Sequence, residues 1–204
     1  MTVVGILLAG GLSRRMGGGD KCLRPLGATT ILARIIARAA PQVAALALNA
    51  NGDPARFAEY GLPIVADSIP DFAGPLAGVL AGLDWAAARH TDVTHVASFA
   101  ADAPFLPRDL VARLVAARER EGADLACAAS GGRTHPVFGL WPAALRDELR
   151  RAMAADGIRK VDAWTSRYRL AVVEYPVEPF DPFFNTNRPD DLVVAAALVA
   201  AEGA

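Results

Sequence analysis

The chain has 204 residues, which fits one ordinary domain and is long enough to bury a full core. Hydrophobic residues make up 53%, but 43 positions are alanine, and without them the apolar share falls to about a third, ordinary for a globular protein. A formal net charge of −1 excludes a protein whose main task is to coat nucleic acid, and the apolar content excludes intrinsic disorder.

In chain order, short β-like runs alternate with longer helical ones. Val3 to Leu8 is a continuous apolar run broken at Gly10-Gly11, and it predicts a buried strand. Thr30 to Ala40 predicts a helix that stops before Pro41. Val43 to Leu48 is the next strand, ending in Asn49-Ala50-Asn51-Gly52. Pro54 to Tyr60 is a short helix and Pro63 to Ala66 a short strand. Pro75 to Arg89 is a helix whose proline suits the first turn. Val93 to Ala100 is a strong strand that runs into Asp102, and Pro107 to Glu121 is helical, again opened by a proline. Asp124 to Ala129 and Val137 to Leu140 are strands around a Gly131-Gly132 turn. Ala143 to Ala155 is helical, Leu170 to Tyr175 is a late strand, and Asp190 to Ala201 is a terminal helix. The alternation predicts an α/β fold: a mostly parallel sheet with helices on both faces. With no repeat or linker in view, residues 1–204 are expected to form a single domain.

Two cysteines, Cys22 and Cys127, exclude a disulfide framework and a cysteine-based zinc knuckle. Met1-Thr2-Val3 offers no basic n-region, and the apolar run Leu192 to Ala201 is shorter than the ~18–20 residues that cross a bilayer. The expectation is a cytoplasmic protein with neither a membrane nor a nucleic acid as partner.

In open α/β sheets ligands bind beyond the carboxyl ends of the strands. After the first predicted strand, Gly10 to Lys21 holds five glycines, two arginines and a lysine in twelve residues. Glycines let backbone N–H groups approach an anion closely, and Arg15 and Lys21 can neutralise phosphate oxygens. The bland alternative is a flexible basic surface loop. The segment is neither a Walker A loop nor a Gly-x-Gly-x-x-Gly dinucleotide fingerprint. Asn49 carries an amide that both donates and accepts, as a nucleobase edge requires, while Asn51-Gly52-Asp53 reads equally as turn chemistry. Asp67, at the end of the third predicted strand, carries a carboxylate that could accept two N–H donors at once, or could serve a turn or cap. Gly78, near a helix N-terminus, allows a nucleotide or another backbone to come close. Asp102, emerging from an apolar strand, suits Mg²⁺, which takes one or two carboxylates with water and phosphate oxygens. His90 and His95 have no metal-ligand spacing and read as structural or surface residues.

Leu8-Ala9-Gly10-Gly11-Leu12-Ser13-Arg14-Arg15-Met16-Gly17-Gly18-Gly19-Asp20-Lys21 resembles the signature of the molybdenum cofactor guanylyltransferases, the MobA family. Gly74-Pro75-Leu76-Ala77-Gly78, Asp102-Ala103-Pro104, His135-Pro136 and Asn185-Thr186-Asn187-Arg188-Pro189-Asp190-Asp191-Leu192 resemble later family segments. Ala101 stands where the family usually has a cysteine before the aspartate. The resemblance implies a Rossmann-like three-layer sandwich of the nucleotidyltransferase type. It implies GTP binding by Leu8, Ala9, Gly10, Gly11, Ser13, Lys21, Asn49, Asp67, Gly78 and Asp102. Arg15, Lys21 and Asp102 would be catalytic, with Asp102 on Mg²⁺. His135, Asn185 and Asn187 would lie on the molybdopterin side. The implied reaction is attack of molybdopterin's terminal phosphate on the α-phosphate of GTP, with release of pyrophosphate. Proteins that deliver molybdopterin or mature molybdoenzymes would be transient partners. Competing expectations are a molybdopterin cytidylyltransferase or another small-molecule nucleotidyltransferase, and a catalytically silent nucleotide-binding adaptor. Gly10-Gly11 and Asp67 favour guanine, and the retained Lys21 and Asp102 favour an enzyme.

Overall fold

The structure is a computed structural model that describes residues 1–9, 20–69 and 74–202. Its elements are β1 (Val3–Leu8), β2 (Pro25–Leu26), β3 (Thr29–Thr30), α1 (Ile31–Ala39), β4 (Leu46–Asn49), β5 (Ile64–Val65), α2 (Pro75–Arg89) and β6 (His95–Ala100). They continue with α3 (Leu110–Glu121), β7 (Leu125–Ser130), β8 (Arg133–Pro142), α4 (Arg146–Ala154), α5 (Val161–Thr165), β9 (Leu170–Tyr175) and α6 (Pro189–Glu202). Seven strands form one sheet in the order β5-β4-β1-β6-β8-β7-β9, and β2 with β3 form a separate hairpin. The pairs β1–β4, β1–β6, β4–β5 and β7–β9 are parallel, whereas β8 runs antiparallel between β6 and β7.

Alternation along β1 builds the two sides of the core. Val3 and Leu7 join the cluster that holds α1, α3 and α6 through Ile35, Leu114 and Ala195. Val4 and Ile6 face the other way, onto Leu80 of α2, Met153 of α4 and Trp164 of α5. The result is three layers with the sheet in the middle. The helix α2 has to lie close on β1, and glycines four residues apart permit it. A Cβ on Gly82 would sit 2.8 Å from Ile6 Cγ2, and one on Gly78 would strike Asn49 Oδ1 and lie 2.7 Å from Leu8 Cδ2.

Several boundaries move from their sequence expectations for local reasons. The helix expected from Thr30 starts at Ile31 because Thr30 is its N-cap, its Oγ1 accepting from Ala33 N at 3.1 Å. The helix expected from Pro107 begins only at Leu110. The strand expected from Val137 starts at Arg133, because Gly131 and Gly132, with φ of 55° and 73°, turn the chain straight back into pairing with Ser130. Its outer half is exposed or half-buried and therefore carries no apolar signature. The hairpin β2–β3 and the five-residue α5 are additional elements, too short to leave a period in the sequence.

The chain passes from β1 out to β4 and β5 on one side and then crosses to β6 on the other. That reversal of strand order opens a crevice at the carboxyl end of β1. Ala9 lies there, its N–H bonded to Asn49 O at 3.0 Å, while Leu8 O accepts from Ala101 N at 3.2 Å.

Candidate active site

Three segments far apart in sequence meet at one cation. Lys21 opens a short 3-10 turn after Asp20. Its Nζ donates to Asp102 Oδ2 at 2.6 Å and to Asn187 Oδ1 at 2.5 Å. Asp102 lies two residues beyond β6, and Asn187 lies two residues before α6. The pair is half-buried, with 16% of the Lys21 side chain and 25% of the Asp102 side chain exposed, so the contact is screened less than a surface ion pair.

Thr186 fixes this junction. It is fully buried, and both its N–H (2.9 Å) and its Oγ1 (3.1 Å) donate to the Asp102 carbonyl. Asp191 Oδ2 accepts from Asn187 N at 2.8 Å and Arg188 N at 2.7 Å, which caps the start of α6 and sets the backbone of Asn187. Sequence reasoning passed over Thr186, although its place between two asparagines marked it.

A second group forms where β4 and β5 end. Asn49 is 3% exposed, and its Nδ2 donates to Val65 O at 3.0 Å and Asp67 Oδ1 at 2.9 Å. Asn51 Nδ2 donates to Asp67 Oδ2 at 2.8 Å, and Asn51 Oδ1 accepts from Asp67 N at 2.9 Å. Asn51, which the sequence assigned to turn chemistry, is therefore a structural partner of the carboxylate. Gly78 is buried, and the lack of a Cβ there makes room for the Asn49 amide and Leu8. Asn49 is buried and bonded to Asp67, whose own carboxylate is only half-buried. A carboxylate has about four lone-pair positions. Two amide donors leave Asp67 room for two more donors.

Arg56 joins the two groups. It pairs with Asp20 Oδ2 at 2.5 Å, beside Lys21, and its Nη2 donates to Asn51 O at 2.6 Å.

His135 belongs to a third cluster, on the β7–β8 hairpin. Its Nε2 lies 2.7 Å from Ser130 Oγ, which donates to Asp181 Oδ1 at 2.9 Å. The ring packs on Phe183, with centroids 4.8 Å apart. Burial pushes the His135 pKa below its ordinary value, Arg133 adds to this, and Asp181 and Glu174 oppose it. Asn185 is exposed, and its carbonyl accepts from Asn187 N at 3.2 Å. Leu8 and Ala9 are half-buried at the end of β1. Gly10, Gly11, Ser13 and Arg15 lie outside the described residues. His95 is buried in β6 and His90 follows α2, as their structural assignment requires.

Among the described residues no group of three or more His, Cys, Asp and Glu could hold a metal ion alone. The donors do fit Mg²⁺ bound jointly with a nucleotide. Asp102 supplies one carboxylate, one of whose oxygens is taken by Lys21, and phosphate oxygens and water would complete the shell.

Comparison with known proteins agrees with this architecture. The family model described as "MobA-like NTP transferase domain" matches residues 5–170. The chain is 59% identical over 199 residues to the molybdenum cofactor guanylyltransferase of Nitrobacter hamburgensis, covering 98% of this chain and 95% of that one. It is 60% identical over 200 residues to the protein of that name from Bradyrhizobium sp., covering 98% and 94%. Among solved structures, the molybdopterin-guanine dinucleotide biosynthesis protein A of Archaeoglobus fulgidus shares the fold, with a TM-score of 0.75 and 24% identity over 97% of this chain and 99% of that one. With its crevice at the end of β1 and a family match running from Gly5 to Leu170, the chain belongs to the MobA-like NTP transferase domain family.

Proposed function

We propose that residues 1–204 form a single nucleotidyltransferase domain that transfers GMP from GTP to the terminal phosphate of molybdopterin, releasing pyrophosphate. The observation that carries this is the convergence of Lys21, Asp102 and Asn187, which come from the nucleotide loop, the strand end and the closing motif. Relatives about 60% identical over nearly the whole chain and named molybdenum cofactor guanylyltransferase support the choice of substrates.

The chemistry needs no covalent enzyme intermediate. An oxygen of the acceptor phosphate forms a bond to the α-phosphorus of GTP, and the bond to the β-phosphate oxygen breaks. The protein's task is positioning and charge stabilisation. The Lys21 ammonium has three donors. Two are committed to Asp102 and Asn187, so the third is free for a phosphate oxygen of the nucleotide. Lys21 thereby holds the donor while it is tied to the acceptor-side residue Asn187. The glycine loop with Gly10, Gly11 and Ser13 cradles the triphosphate, and Arg15 offsets the charge of the leaving pyrophosphate. Asp67 accepts guanine's N1–H and exocyclic amine, held by Asn49 and Asn51. Asp102 would hold Mg²⁺, which supplies Lewis-acid neutralisation of phosphate oxygens. Asn185, Asn187 and His135 receive the pterin side.

No helix among the described residues is long and apolar enough to cross a membrane. We place the enzyme in the cytoplasm, in transient contact with proteins that deliver molybdopterin to it or that mature molybdoenzymes.

The test is pyrophosphate release from GTP with Mg²⁺ and molybdopterin, run beside CTP. Release that needs molybdopterin and prefers GTP is expected. Preference for CTP, or no release with either nucleotide, would overturn the proposal.

A further inference from the structure

The cluster around His135 fixes its protons. The Asp181 carboxylate can only accept, and a serine hydroxyl has one hydrogen to give. Ser130 Oγ stands 2.9 Å from Asp181 Oδ1 and 2.7 Å from His135 Nε2. The hydroxyl hydrogen therefore goes to Asp181, and the contact with the ring is made by a hydrogen on Nε2. Asp181 is itself held, its Oδ1 also accepting from Phe183 N at 2.9 Å, while the Phe183 ring lies on the imidazole. Ser130 is 3% exposed and sits at the end of β7, so water competes little for its hydroxyl.

Burial favours the neutral form of the ring, pushing its pKa below the ordinary value. Arg133 pushes the same way, and Asp181 and Glu174 push against it. A neutral ring protonated on Nε2 presents a bare lone pair on Nδ1. A phosphate dianion offers only acceptor oxygens and would repel that lone pair. The ring nitrogens and exocyclic amine of a pterin offer N–H donors.

We propose that His135 is a neutral imidazole protonated on Nε2, set in that tautomer by Ser130 and Asp181, whose Nδ1 accepts a hydrogen bond from an N–H of the pterin and thus selects the acceptor by its ring and not by its phosphate. This rests on molybdopterin being the acceptor. Ser130 and Asp181 are positioning residues that act through the ring. Asn187, tied to Lys21, is left for the phosphate end.

The experiment is nitrogen NMR of the full chain labelled with ¹⁵N-histidine at pH 7. There are three histidines, and loss of one set of signals in His135→Gln identifies the third; through-bond correlation does the same if that variant fails to fold. His135 is expected to show a protonated Nε2 and an unprotonated Nδ1. A 6-substituted pterin without phosphate should shift Nδ1, and inorganic phosphate at the same concentration should not. Ser130→Ala should release the ring into a mixture of tautomers. An imidazolium, a ring protonated on Nδ1, or an Nδ1 that answers to phosphate or to neither probe overturns the proposal. An unchanged single tautomer in Ser130→Ala also overturns it. Guanylyl transfer is measured separately. A pterin response without transfer removes the reaction and keeps the His135 assignment, whereas transfer with Nδ1 protonated does the reverse.

Discussion

Gly78→Ala tests whether the Asp67 carboxylate, proposed to read guanine, is held in place by Asn49. The new Cβ would strike Asn49 Oδ1 and approach Leu8 Cδ2 to 2.7 Å. The Leu8 methyl can turn aside. Asn49 has less freedom, because its Nδ2 is bonded to Val65 O and Asp67 Oδ1. Relief therefore comes either from a shift of α2 or from loss of the bond to Asp67. Overpacking of this kind costs about 1–3 kcal/mol. A hydrogen bond to a charged group contributes about 1.5–3 kcal/mol. If half to all of that bond is lost, the KM for GTP should rise roughly 4- to 160-fold. Gly82→Ala is the matched control, since its Cβ would meet Ile6 Cγ2 at 2.8 Å, away from Asp67. Urea unfolding should show both variants destabilised to a similar degree. Only Gly78→Ala should lose discrimination between GTP and ITP, which lacks the exocyclic amine that Asp67 would read. Equal loss of discrimination in both variants, or none in a destabilised Gly78→Ala, would refute the reasoning.

Replacing Lys21 by Met removes the cation and both its bonds, and kcat/KM for GMP transfer should fall about 30- to 1000-fold, as for loss of one electrostatic donor worth ~2–4 kcal/mol; near-normal turnover would remove Lys21 from the mechanism. Thr186→Val keeps the backbone bond to Asp102 O and loses the hydroxyl bond, so urea unfolding should show a loss of about 1 kcal/mol together with slower transfer. Burial lowers the His95 pKa to about 4, so the folded state carries fewer protons than the unfolded state below pH 6.5. Stability should therefore be lost as pH falls from about 6.5 towards about 4, by ~1–2 kcal/mol after solvent screening, and His95→Gln should lose that part of the slope in urea titrations. Burial also pushes Cys22 and Cys127 up to about 12, so a thiol reagent at pH 7 should modify neither cysteine until the chain unfolds.

The sequence made the sheet visible where a strand is largely apolar along its length, as in Val3–Leu8, buried on both faces, and in Leu170–Tyr175, which alternates buried and exposed side chains at the sheet edge; both have the expected bounds, as does α2, whose Pro75 marks its first turn. It obscured β8, because Arg133 to Pro136 are polar or cyclic and the pairing is imposed by a two-glycine turn. In the site, Lys21, Asp67 and Asp102 were legible because each follows a strand or a glycine-rich loop at the ligand edge. The contacts that support them were not, because the partners are distant in sequence. Asn187 was expected only on the molybdopterin side, and its bond to Lys21 spans 166 positions, while Thr186, not singled out at all, reaches Asp102 across 84. Asn51 was hidden for the opposite reason: its local context, Asn-Gly-Asp, already explains a turn, and only the fold shows its amide on Asp67.

The match to the family model ends at residue 170, yet the site does not. Asp181, Asn185, Thr186 and Asn187 all follow β9, in the segment that returns the chain to the carboxyl end of β6. A segment that supplied only acceptor contacts could be held loosely. Here Thr186 is fully buried and grips the Asp102 backbone twice, while Asn187 shares the ammonium that pairs with the Asp102 side chain. Displacing the closing segment would thus move Asp102 as well as the acceptor contacts. Under the proposed function, recognition of the acceptor and placement of the nucleotide's charge partners would be one mechanical unit. It follows that substitutions at Thr186 should alter kcat as well as the acceptor's KM, and a change in KM alone would show that the two halves of the site move independently.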